Sequence, residues 1–165
     1  MALTIYQKSI YLIIFNATMI SRSVGKNIKE GKSVKDFKVS LFKEIEMLTS
    51  KMDTNTLTEE NIINSIDNLC NEFGISFGQA QKPINVILKY HFYLTKSSET
   101  SMKKVLHCPI DSLILKKLGK SGISLTKIDK EKYLKIQKEI RNLGNTRIEF
   151  DTSWDEQHLR EEGLL

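Results

Sequence analysis

The chain has 165 residues, 40% hydrophobic and 27% charged, with two prolines and eight glycines. That length and balance fit one globular domain able to bury a core, and they exclude a disordered or collagen-like chain. Lysine and arginine exceed aspartate and glutamate by 25 to 20, a net charge of +5, compatible with a polyanionic partner such as nucleic acid and equally with a solvated lysine surface.

Periodicity and capping predict about seven helices and an all-α bundle. The first, about Thr4 to Ser23, is apolar on nearly every face and is expected to be the central buried helix. Its run Ile10 to Phe15 is preceded by Lys8 and interrupted by Asn16 and Thr18, whereas a membrane span needs roughly 20 apolar residues. No small-residue cleavage site follows, so a core helix is expected, not a signal peptide and not a span. Gly25 to Lys32 reads as a basic loop. Ser33 then caps a helix from Val34 to about Ser50, with Asp36 at the capping-box position and a stripe of Phe37, Leu41, Ile45 and Leu48.

Met52 to Leu57 reads as a turn. Thr58 caps a helix striped by Ile62, Ile66, Leu69 and Phe73 that ends at Gly74. A short hairpin is expected next, with Lys82 or Pro83 opening a helix through Ile84, Leu88 and Phe92. Lys96 to Ser101 is polar and serine-rich, a loop signal. Asp111 starts a helix stopped at Gly119, and Asp129 starts another through Tyr133, Ile136 and Ile140, stopped near Gly144. Ile148 to Phe150 reads as extended, and Ser153-Trp154-Asp155-Glu156 as the capping box of a last short helix. Cys70 and Cys108 form no CxxC pair, so reduced thiols and a cytoplasmic location are expected.

Two stretches carry the chemistry. The first is Phe73-Gly74-Ile75-Ser76-Phe77-Gly78-Gln79-Ala80-Gln81-Lys82-Pro83-Ile84-Asn85-Val86-Ile87-Leu88, read as helix, glycine-containing hairpin, helix. The second, His107-Cys108-Pro109-Ile110-Asp111 through Gly119, puts an aspartate at a helix start after an X-Pro step that holds the chain extended. Together they resemble the helix-hairpin-helix DNA glycosylases, the superfamily of endonuclease III and the 8-oxoguanine glycosylases, over about residues 62–119. In that family a Gly-x-Gly hairpin precedes a lysine near the start of a helix, and a Pro-Val-Asp-like step supplies an aspartate. Here Ala80 stands at the second glycine and Pro83 follows the lysine.

The resemblance implies a DNA-repair domain acting on duplex DNA that contains a lesion, with a helix-hairpin-helix-like core at about 59–119 and C-terminal helices over 129–165. Lys82 would attack the sugar C1′ of a flipped-out nucleotide and form a Schiff base. Asp111 would stabilise the cationic sugar and take part in proton transfer. Gly78, Gln79, Ala80 and Gln81 would present backbone N–H groups to a DNA phosphate. Lys103, Lys104, Lys116 and Lys117 form a candidate phosphate-facing strip. Tyr90, His91 and His107 are candidates for the pocket that receives the base.

Each of these residues also has a plain structural reading. Asp111 is a good helix N-cap, Lys82 a solvated charge, and Gly74 and Gly78 an ordinary stop and turn. His91, His107, Cys70 and Cys108 have no metal-ligand spacing, and no cofactor motif is present, so neither a metal nor a cofactor is expected. Two alternatives stay open: a non-catalytic DNA-binding module, and a helical protein-interaction domain with a partner surface around Trp154.

Overall fold

Capping residues set most of the helix starts. The computed structural model describes residues 3–95, 100–144 and 146–165, and among these it has nine α-helices, one 3₁₀ turn and no strand. Helices α1 (Ile5–Ala17), α2 (Ile20–Asn27), α3 (Val34–Asp53) and α4 (Glu59–Phe73) are followed by α5 (Phe77–Thr95) and α6 (Thr100–Val105). Then come α7 (Ser112–Lys117), the 3₁₀ turn Leu125–Lys127, α8 (Lys130–Asn142) and α9 (Arg147–Glu161). Ser33, Thr58, Asp111 and Asp129 each accept from backbone N–H groups of the first turn they precede, a contribution of about 1 kcal/mol apiece. Gly74 ends α4 in the left-handed region at φ 67°, where a side chain would be strained. The stripes of α3, α4 and α8 are buried as their spacing requires.

The core is organised around α5, not α1. Helix α5 packs against α1, α2, α3, α4, α8 and the 3₁₀ turn, while α1 leaves Ile5, Tyr6 and Ile13 largely in solvent. The expected first helix is also divided. Met19 takes a left-handed conformation, φ 54°, which separates α1 from α2, and Gly25 lies inside α2 and not in a loop. The tail differs as well. Helix α9 starts at Arg147, where the Thr146 N–H and hydroxyl both donate to the Glu149 carboxylate and the Glu149 N–H donates to the Thr146 carbonyl, so Ile148 to Phe150 is helical. The expected loop at Lys96 to Ser101 falls mostly outside the described residues, as do the side chains of Ser153 and Trp154.

The largest correction concerns the hairpin. Helix α5 begins at Phe77, so Gly78, Gln79, Ala80 and Gln81 are helical and buried, and only Gly74 to Ser76 separates α4 from α5. Ser76 and Gln79 form the cap: the Gln79 N–H donates to Ser76 Oγ, and the Ser76 N–H donates to Gln79 Oε1. Pro83 sits inside a helix that runs on to Thr95; its missing N–H costs one ladder bond.

No described helix is long and apolar enough to cross a membrane.

Candidate functional site

Lys82 and Asp111 arrive from separate elements and meet. Lys82 projects from the second turn of α5, and Asp111 closes the extended segment that follows α6. Lys82 Nζ lies 3.7 Å from Asp111 Oδ2, with side chains 19% and 26% exposed. The two carboxylate oxygens have different duties. Oδ1 accepts from the N–H groups of Leu113 and Ile114, both at 3.0 Å, and caps α7, while Oδ2 faces the amine. Capping therefore leaves the charge available.

Both residues line an open cleft of about 530 Å³, within the roughly 300–1,000 Å³ usual for small-molecule sites. One wall comes from α1, with Ile13, Ile14 and Ala17; another is Pro109 and Ile114. Tyr90 stands at the rim, 41% exposed. Lys89, two turns beyond Lys82 on the same face of α5, donates to Asp151 at 2.5 Å and Asp155 at 2.9 Å from α9. Burial works against its charge, but the two carboxylates overcome this and raise its pKa. The cleft thus holds the amines of Lys82 and Lys89 beside three carboxylates, Asp111, Asp151 and Asp155. Among the described residues no group of three or more His, Cys, Asp or Glu side chains is arranged to hold a metal ion.

The remaining candidates are scattered. Gly78, Gln79, Ala80 and Gln81 cannot cradle a phosphate: the Gly78 N–H donates to the Ile128 carbonyl, and those of Gln79 and Ala80 to the Ser76 carbonyl. The side chains of Gln79 and Gln81 are buried with hydrogen-bond partners. His91 turns away from the cleft because neighbouring helix positions point about 100° apart; it bonds Tyr11 and Asp53. His107 is buried outside the cleft lining, against Tyr133 and Glu59. Of the expected base-pocket trio, only Tyr90 lines the cleft. Lys103 and Lys117 reach consecutive residues of α9, Glu149 and the Phe150 carbonyl, while Lys104 and Lys116 are exposed. Lys104 borders a separate cavity of about 500 Å³ beside Arg141 and Arg147.

Glu59 anchors that second region. Arg147 donates to it at 2.9 Å, Arg141 is also bonded to it, and His107 Nε2 lies 3.3 Å away. Burial would raise the Glu59 pKa, but the bonds from His107 and Arg147 hold it well below the carboxylate range. With Glu59 ionised, His107 donates from Nε2 and accepts the Tyr133 hydroxyl at Nδ1, 2.7 Å away; Tyr133 in turn accepts from Asn85. Burial, with the nearby guanidinium groups, depresses the His107 pKa below 6.5, and protonation would leave the Tyr133 hydroxyl proton without its acceptor. Stability is thus fully present above pH 6.5 and falls as the pH drops toward the lowered value. Urea titrations at pH 7 and 5.5 are expected to show this loss, and His107→Gln to flatten it. An equal loss in the variant would show that His107 is not held neutral.

The arrangement defines an all-helical domain with a lysine–carboxylate pair on the rim of an open cleft. Comparisons with protein-family models, with curated proteins and with solved structures found no match.

Proposed function

We propose that the chain is a DNA-repair protein, a glycosylase and abasic-site lyase working through Lys82, without the phosphate-binding hairpin of the family it resembles. The observation that carries this reading is the Lys82 amine facing the free Asp111 oxygen on one cleft, the convergence that the chemistry requires of two groups far apart in sequence. The cleft is roomy enough for an extruded nucleoside, and Tyr90 offers a ring on which a base can stack.

Lysine attacks as a free amine, and Asp111, 3.7 Å away, is placed to accept the proton it gives up. The nitrogen lone pair forms a bond to C1′, and the C1′–base bond breaks with its electron pair leaving on the base, which takes a proton. The ring oxygen then departs from C1′ to give a Schiff base, and loss of a C2′ proton expels the 3′ phosphate. Asp111 is anionic, and stabilises the cationic sugar, until it takes the proton that the amine releases as the C1′–N bond forms; it then returns that proton to the departing ring oxygen.

The test is borohydride trapping on duplex oligonucleotides carrying an abasic site or an oxidised base, with the adduct located by peptide mass spectrometry. An adduct at Lys82 supports the reading; no adduct, or one at another lysine, overturns it. Salt-sensitive duplex binding without an adduct would leave a non-catalytic DNA-binding module.

Asp111→Asn separates the two roles of that side chain. Asparagine also caps helices, so thermal stability is expected to stay near the parent's, while adduct formation falls on the order of 100-fold. Equal rates in parent and variant would remove Asp111 from the chemistry.

A further inference from the structure

The segment that delivers Asp111 has no regular structure of its own. Leu106 to Ile110 joins α6 to α7 as buried irregular chain, and buried backbone N–H and C=O groups need partners. Two carboxamides supply them. Gln137 of α8 accepts the Cys108 N–H at Oε1, 3.0 Å, and donates from Nε2 to the Cys108 carbonyl, 2.7 Å. Gln81 of α5 does the same to Ile110, accepting its N–H at 3.1 Å and donating to its carbonyl at 2.7 Å. Each side chain engages both polar groups of one residue, as a neighbouring strand would.

The Gln81 carboxamide is itself fixed on all sides. Its Oε1 also accepts from Asn85 Nδ2 at 2.9 Å, and its Nε2 also donates to the Gly78 carbonyl at 3.1 Å. Asn85 and Gly78 belong to α5, so the helix orients the amide, and the amide places Ile110. Gln81 is the chain neighbour of Lys82, and Ile110 of Asp111. One turn of helix therefore carries the amine and also sets where its carboxylate partner stands.

We propose that Gln81 and Gln137 are positioning residues: their carboxamides hold Cys108 to Ile110 so that Asp111 is presented to Lys82. The clamp is a feature of the fold, but its consequence for rate rests on the lyase reading above. Gln81→Met and Gln137→Met keep the bulk and remove the paired bonds. A misplacement of about 1 Å costs on the order of 100-fold in rate. Adduct formation at saturating abasic duplex is expected to slow by that factor in both variants, with duplex affinity unchanged. Leu48→Ala, a core truncation on α3 away from the segment, is the control for lost stability. Slowing of all three variants in proportion to their lost stability would overturn the proposal.

A second measurement needs no DNA. Reductive methylation of Lys82, read by mass spectrometry on the free protein, is expected to quicken in Gln81→Met and Gln137→Met as Asp111 drifts from the amine, and to hold in Leu48→Ala. Unchanged labelling in both glutamine variants overturns the clamp. A parent chain that labels as expected yet forms no adduct would sink the lyase reading and leave the clamp standing.

Discussion

Lys82→Gln is expected to abolish the trapped adduct on abasic duplex, lowering its rate by at least about 1,000-fold, because the nitrogen of the Schiff base is lost with the nucleophile. Glutamine keeps the helix propensity and most of the length of lysine. The pair with Asp111 spans 3.7 Å at a partly exposed rim, so its loss costs about 1 kcal/mol or less. The fold therefore survives and the comparison is clean. Lys89 is the amine most able to mislead, since it lines the same cleft. Its bonds to Asp151 and Asp155 hold it charged and engaged. An adduct that persists undiminished in Lys82→Gln would transfer the chemistry to another amine and end the assignment.

Gly78→Ala is expected to destabilise the fold although it adds only a methyl group. A methyl group at this position would lie 2.3 Å from the Leu125 carbonyl oxygen and 2.8 Å from Ile128 Cβ. The first obstacle is backbone, which cannot swing aside as a side chain can. The Gly78 N–H also donates to the Ile128 carbonyl at 2.9 Å, so pushing the turn away breaks that bond too. Alanine gains roughly 1 kcal/mol in helix propensity, and overpacking a close contact costs up to about 3 kcal/mol or somewhat more. A net loss of about 2 kcal/mol is expected in urea unfolding. A variant as stable as the parent would show that the 3₁₀ turn does not press on α5.

The helical class was plain in the sequence because Phe37, Leu41, Ile45 and Leu48 on α3, and Ile62, Ile66, Leu69 and Phe73 on α4, repeat at three- and four-residue steps behind Ser33 and Thr58. The start of α5 was misread for a physical reason. Gly78, Gln79 and Gln81 look like loop residues, yet a helix packed on most of its sides needs small residues where neighbours press close and amides where backbone must be satisfied. The signal was there, since Ser76-Phe77-Gly78-Gln79 has the S-x-x-Q spacing of a capping box. Helix α1 failed as the central helix because apolar content says how much could be buried, not what is available to bury it. The candidate pair, Lys82 and Asp111, was read from a resemblance. Lys89, Asp151 and Asp155 were missed, although Lys89 lies seven residues after Lys82 and so shares its face. Nothing local in the sequence marks Gln137 as a partner of Cys108; that contact spans 29 positions.

Helix α1 lends the cleft Ile13 and Ile14, and α9 lends it Asp151 and Asp155. These two walls stand far apart in the sequence. On the ribosome Lys82 would therefore emerge after the α1 wall of its cleft but before the α9 wall is made. A cut in the polypeptide between those two helices would leave the walls of the recess joined by packing alone.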